Sequence, residues 1–168
     1  MSAVFRLVIT ALFAALVTVG TMVIQIPTPA TQGYINFGDT LIFISGVLLG
    51  PLGGLFAGGV GSWLADLLSG YAHYAPWTLV IKGLEGLLVG LLAHRAYAAH
   101  QRFWTPVMAM LVAGAWMTLG YFIAENIMYG WVGAVGSLVG NSVQATGSLV
   151  MAALLLPQVA KAWRRFQK

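Results

Sequence analysis

The sequence predicts an all-α fold, a six-transmembrane-helix bundle forming one integral membrane domain over residues 1–168, with both termini cytoplasmic. Three observations carry this. The chain is 60% hydrophobic and 7% charged, whereas a water-facing domain carries about 25% charged residues. Its apolar runs approach or exceed the roughly 20 residues that a spanning helix needs. Its basic residues lie near the ends of those runs, at Arg6, Arg95, Arg102, Lys161, Arg164, Arg165 and Lys168. Lys82 is the exception.

Span 1 covers 5–25. The apolar run from Leu7 to Ile26 is longer than a secretory h-region of about 7–15 residues, so it reads as a span and not a signal peptide. Stretch 26–36, I-P-T-P-A-T-Q-G-Y-I-N, is rich in proline and polar residues and reads as non-helical. Span 2 covers 37–50 and span 3 covers 53–69, with G-P-L-G-G between them as a break. Merging 37–69 into one helix gives five spans and places Arg6 on the wrong side. Span 4 covers 77–96, and 94–103 is a basic loop. Span 5 covers 105–128, span 6 covers 134–158, and a basic tail follows. Six spans bring Arg6, the basic loop and the tail to the cytoplasmic side.

This arrangement sorts the charges. Stretches 26–36, 70–76 and 129–133 face outward and carry no Lys or Arg. The four acids, Asp39, Asp66, Glu85 and Glu125, fall on outer halves of spans, as do Lys82, Asn141 and Gln144. An ionisable group in a span is costly and marks function by default. Gathered on one side, these groups suggest a polar pocket opening outward and not a pore.

Lys82 and Glu85 are at i and i+3 and share a helix face. They read either as an ion pair locking helices or as a pocket wall. Tyr121, Glu125 and Tyr129 follow at i+4 steps. Tyr129 suits interfacial anchoring; Glu125 suits it less. Asn141 and Gln144 share a face of span 6, either bonding between helices or meeting a ligand. Tyr34, Tyr71, Tyr74, Trp77, Tyr129 and Trp131 rim the same side, as a belt or as stacking surfaces for a flat ring. Asp39 precedes an apolar run and reads as an N-cap of span 2. Asp66 reads as a bonding partner for loop backbone. Gly46, Gly50, Gly54 and Gly58, four apart, suit close helix packing.

Several classes are excluded. The formal net charge of +4 lies at span ends and does not form a stripe for nucleic acid. There is no cysteine, hence no disulfide or thiolate site. His73, His94 and His100 lack metal spacing with carboxylates, so no metal and no cofactor is expected. The glycine-rich stretch lacks a following Lys-Ser/Thr and is no phosphate loop. With no nucleophile–base set, the chain does not read as an enzyme.

Six stretches, taken in order, carry a resemblance: I-N-F-G-D-T, L-L-G-P-L-G-G, G-S-W-L-A-D-L-L-S-G-Y, I-K-G-L-E-G, G-Y-F-I-A-E and G-N-S-V-Q, from Ile35 to Gln144. The chain resembles the substrate-binding S components of energy-coupling factor (ECF) vitamin transporters, in the riboflavin, hydroxymethylpyrimidine and vitamin B6 branch. The resemblance implies high-affinity capture of a small heteroaromatic vitamin, with vitamin B6 or hydroxymethylpyrimidine ahead of riboflavin. It implies a pocket of Asn36, Lys82, Glu85, Tyr121, Glu125, Asn141 and Gln144, with 26–36 as a lid. Ala11 and Ala15 match the family's A-x-x-x-A motif for docking on a transmembrane coupling subunit, driven by two cytoplasmic ATPases. The competing class is a stand-alone proton-coupled secondary transporter, which also uses intramembrane Lys and Glu. Such folds often carry internal repeats, and none is visible.

Overall fold

The computed structural model describes residues 2–28, 31, 33–100 and 103–166. Arg102 and Lys168 of the basic segments, the His100 side chain, and Pro29, Ala30 and Gln32 of stretch 26–36 lie outside them. The chain runs α1 (Ala3–Val23), β1 (Gln25–Thr28), β2 (Gly33–Asn36), α2 (Gly38–Leu68), α3 (Ala75–His100) and α4 (Trp104–Phe166). All four helices are long and apolar enough to cross a membrane. Their outer faces are apolar, with Val4, Leu7, Val132 and Val139 each more than 70% exposed. Such a face suits lipid, where a backbone must satisfy its own hydrogen bonds within helices.

The expected count of six helices is corrected to four. The segments read as spans 2 and 3 are one helix, α2, and those read as spans 5 and 6 are one helix, α4. The expected breaks shrink to single glycines. Gly50 has φ 83° and ψ −172°, and Gly130 has φ 76° and ψ 178°. Only glycine enters that region without a steric penalty. One such residue redirects the chain, so no separate loop is needed. Pro51 follows Gly50 directly, where its missing N–H costs the resumed helix nothing. Both helices fold back at their kinks. A Cβ on Gly54 would lie 2.9 Å from Gly46 Cα, and one on Gly114 would lie 3.1 Å from Ala145 Cβ.

The described residues of stretch 26–36 are non-helical as read. They form an antiparallel hairpin in register Gln25↔Asn36 to Thr28↔Gly33. Tyr34 and Asn36 hold it against the helices through their hydrogen bonds to Asp66 and Gln144.

The helices are brought together by small residues. A Cβ on Gly54 would lie 2.3 Å from the Gly86 carbonyl oxygen, and one on Gly86 would lie 2.2 Å from the Gly54 oxygen. No Cβ is tolerated at such distances, so glycine at both positions lets the α2 and α3 backbones touch. One turn along, Gly58 meets the Lys82 carbonyl in the same way. The glycine stripe therefore decides how close Lys82 comes to α2. Around this contact Phe43, Val47, Val89, Met110 and Ala152 form the apolar core. Thr18 donates its hydroxyl to the Gly61 carbonyl at 2.8 Å and ties α1 to α2.

The charges segregate along the bundle. Arg6, His94 and Trp163 meet at one end of α1, in a groove with Leu48 and Ala98. Thr21, about 20 Å along the same helix, lines the acidic cavity described below.

Gly86→Val is expected to destabilise the protein by more than about 3 kcal/mol, the upper range of ordinary overpacking, because backbone cannot yield as a side chain does. Gly147→Ala is the control, since a Cβ there meets nothing within 4 Å. Thermal unfolding in detergent checks this: a Gly86→Val protein melting with wild type would contradict the backbone contact.

Candidate functional site

Between the hairpin and the helices lies a small, polar cavity of about 40 Å³. Its walls come from α1, both strands, α2, the turn before α3, α3 and α4. Its chemistry is unusual for an apolar chain. Asp39, Asp66, Glu85 and Glu125 are the protein's four acids, and all four are at its wall or directly behind it.

Lys82 is the centre of one half. Its Nζ pairs with Asp39 Oδ1 and lies 3.4 Å from Glu85 Oε2. All three residues are at most 2% exposed. Gln144 Nε2 donates to Asp39 Oδ2 at 2.8 Å, and Gln144 Oε1 accepts from the Asn36 backbone N–H at 2.8 Å. The two contacts together fix the orientation of the Gln144 amide, because a flipped amide would satisfy neither. Asn36 Oδ1 in turn accepts from the Gly38 N–H at 2.8 Å. A continuous polar chain thus joins β2, α4, α2 and α3. The ammonium also lies 5.4 Å from the centre of the Tyr121 ring, a cation–π contact.

Glu125 anchors the other half. Ser137 Oγ donates to its Oε2, and Asn141 Nδ2 donates to the same oxygen at 3.3 Å. Tyr74 directs its hydroxyl to the Thr31 carbonyl at 2.7 Å and to Glu125 Oε1 at 3.3 Å. Tyr34 donates to Asp66 Oδ1 at 2.7 Å, while Asp66 Oδ2 has no partner among the described residues. Burial, then the adjacent Asp66, pushes the Tyr34 phenol well above its usual range. Burial also raises Tyr74. Both phenols therefore stay protonated and remain donors.

Asn36, Lys82, Tyr121, Glu125, Asn141 and Gln144 line this cavity, as a set drawn from β2, α3 and α4. Glu85 sits behind Lys82 and does not reach the wall; neither of its oxygens makes a hydrogen bond. Ala11 and Ala15 lie away from the cavity, exposed on α1. The cap reading of Asp39 is corrected. It lies within the first turn of α2, after Phe37, and its carboxylate is taken by Lys82 and Gln144. The side chain of Asp66 bonds the Tyr34 hydroxyl, and only its backbone carbonyl serves the loop, accepting from the Tyr71 N–H. Among the aromatics, Tyr34 and Tyr74 reach the cavity. Trp131 instead packs edge-on against Phe122 and is 66% exposed.

Thr78, Ser62 and Thr21 also line the cavity and were not singled out by sequence. A signal existed for two of them. Thr78, Lys82 and Glu85 follow at i, i+4 and i+7, one stripe of α3, and Ser62 and Asp66 are i, i+4 on α2. Thr21 gave none, being a hydroxyl in an apolar helix.

Comparison with known proteins fits this arrangement. The profile of the ECF-type riboflavin transporter S component family matches residues 1–161. The "Thiamine precursor transporter HmpT" of Lactococcus lactis subsp. cremoris is 30% identical over 157 residues, 93% of this chain and 88% of that protein. An uncharacterized protein of Pyrococcus woesei is 44% identical over 135 residues, 80% of this chain and 88% of that one. A UPF0397 protein of Streptococcus agalactiae is 32% identical over 90 residues, 54% of this chain and 49% of that one. Four apolar helices able to cross a bilayer, a polar cavity buried among them and a family match over almost the whole length lead to one conclusion. The chain is a multi-pass membrane protein of the ECF-type riboflavin transporter S component family.

Proposed function

We propose that this protein captures a small heteroaromatic vitamin or vitamin precursor, with hydroxymethylpyrimidine or vitamin B6 favoured and riboflavin next. The observation that carries the reading is the convergence of all four acids, with Lys82, on one cavity inside an apolar bundle. Holding so many ionisable groups in a dry site is expensive, and a purely packing role does not require it. The similarity to a thiamine precursor transporter supports this order of ligands.

In this reading Lys82, Tyr121, Glu125, Asn141, Gln144 and Asn36 contact the ligand, and Glu85 acts through Lys82. The Tyr121 and Tyr74 rings offer flat faces for stacking. The β1–β2 hairpin closes the cavity and has to shift for a ring to enter, because about 40 Å³ holds little more than water. The protein carries no phosphate-binding loop, so energy for uptake comes from outside it. The exposed α1 face with Ala11 and Ala15 would meet a transmembrane coupling subunit, which two cytoplasmic ATPases drive.

Mass spectrometry on small molecules released by denaturing the purified protein tests the reading. A stoichiometric vitamin is the expected result. An empty extract, followed by no thermal shift with B6 vitamers, hydroxymethylpyrimidine, riboflavin or thiamine, would contradict it. Two variants separate binding from folding. Glu125→Gln is expected to weaken ligand binding at least tenfold, equivalent to about 1.4 kcal/mol, with a near-normal fold. Lys82→Met is expected to destabilise the fold itself by about 3–5 kcal/mol, since it leaves two buried carboxylates without their cation. Equal binding by Glu125→Gln and wild type, measured by calorimetry, would remove Glu125 from the site.

A further inference from the structure

The site's hydrogen bonds are unevenly satisfied, and the imbalance describes the ligand. Most donors around the cavity already have protein acceptors; the Thr21 hydroxyl, which can both donate and accept, has no partner among the described residues. Tyr34 gives to Asp66, Tyr74 to Thr31 and Glu125, Asn141 to Glu125, and Gln144 to Asp39. Besides the Thr21 hydroxyl, what remains unmatched at the wall is an acceptor: Asp66 is 4% exposed, lines the cavity and has an Oδ2 with no partner among the described residues. Charge leans the same way. Lys82 supplies one positive charge against the carboxylates of Asp39, Glu85, Asp66 and Glu125. Lys82 is shared between Asp39 and Glu85, and among the described residues neither Asp66 nor Glu125 forms a salt bridge.

We infer that the site selects a cationic, donor-rich ring, an amino-substituted heteroaromatic whose charged N–H edge meets Asp66 Oδ2. This rests on the cavity being the ligand site. An N–H on that oxygen supplies its missing partner. The positive charge supplies an ionic partner to the two acids that make no salt bridge with Lys82. A neutral ring presenting only acceptors leaves Asp66 Oδ2 buried and unpaired, the more costly of the two states. Glu125, already held by Ser137, Asn141 and Tyr74, keeps lone pairs for a second N–H of the same edge.

Isosteric pairs test this on the purified full-length protein by calorimetry at constant pH and salt. Pyridoxamine is compared with pyridoxine, an exchange of ammonium for hydroxyl. 4-Amino-5-hydroxymethyl-2-methylpyrimidine is compared with its 4-oxo analogue. In any pair of which one member binds, the amino compound is expected to bind tighter by about tenfold to a hundredfold, the range for hydrogen bonds to a charged group. Asp66→Asn is expected to reduce that ratio below threefold. If Asp66→Asn does not fold, Tyr34→Phe serves instead. It removes the one partner of Asp66 and is expected to keep the preference intact. Equal or tighter binding of the neutral member overturns the inference, as does an Asp66→Asn protein that keeps the full ratio. High-affinity binding of neutral riboflavin alone overturns the inference and leaves the vitamin-capture reading standing. Binding of none of these compounds, or of thiamine, overturns both.

Discussion

An ammonium group fully buried among apolar helices has to be compensated, and Lys82 is compensated by Asp39 from α2 and Glu85 from its own helix. The rest of the site follows from that constraint. Asp39 must reach α3, so α2 and α3 must touch, and the glycines at 54, 58 and 86 permit it. Asp39 keeps a second oxygen, which takes Gln144 and thereby draws in α4. Gln144 in turn receives the Asn36 N–H and fixes the hairpin at the mouth of the cavity. One ion pair thus orders the packing of three helices and the seating of the hairpin. An arrangement of this kind confers specificity at some cost in stability. It also leaves a charged, preorganised surface where a ligand can bind.

The second half of the site obeys a different logic. Glu125 has no basic partner; hydroxyl and amide donors hold it. Such donors hold the carboxyl group without a cation, so it keeps lone pairs for a ligand. Asp66 accepts from Tyr34, and its Oδ2 has no partner among the described residues. The cavity is therefore polarised, with a compensated end at Lys82 and an uncompensated end at Asp66 and Glu125. A flat ring lying between them has its two edges in different environments. That is a physical basis for orientation as well as affinity.

Much of this was legible in the sequence, and the exceptions have identifiable causes. Charges inside apolar runs are conspicuous, so Lys82, Glu125, Asn141 and Gln144 stood out without a structure. The glycine stripe was legible for the same reason, since spacing by four has one geometric meaning on a helix. The helix count was not. Proline beside glycine signals an interruption, but not whether several residues or one positive-φ glycine makes it. Asp39 was misread because a first-turn partner and an N-cap look alike in sequence. Glu85 shares a face with Lys82, and that spacing does not say which of the two points at the cavity. The Tyr34–Asp66 contact joins residues 32 apart with no periodic relation, so only the folded chain displays it.

The central claim is that the acid-lined cavity beneath the β1–β2 hairpin is where the ligand sits. An experimental structure of the protein purified with its bound small molecule tests it most directly. The account predicts a ring between the hairpin and Lys82, stacked near Tyr121, with an N–H edge on Asp66 and Glu125. Ligand density in the apolar groove between the two limbs of α4, beside Leu119 and Phe122, with the acid-lined cavity unchanged, would contradict it.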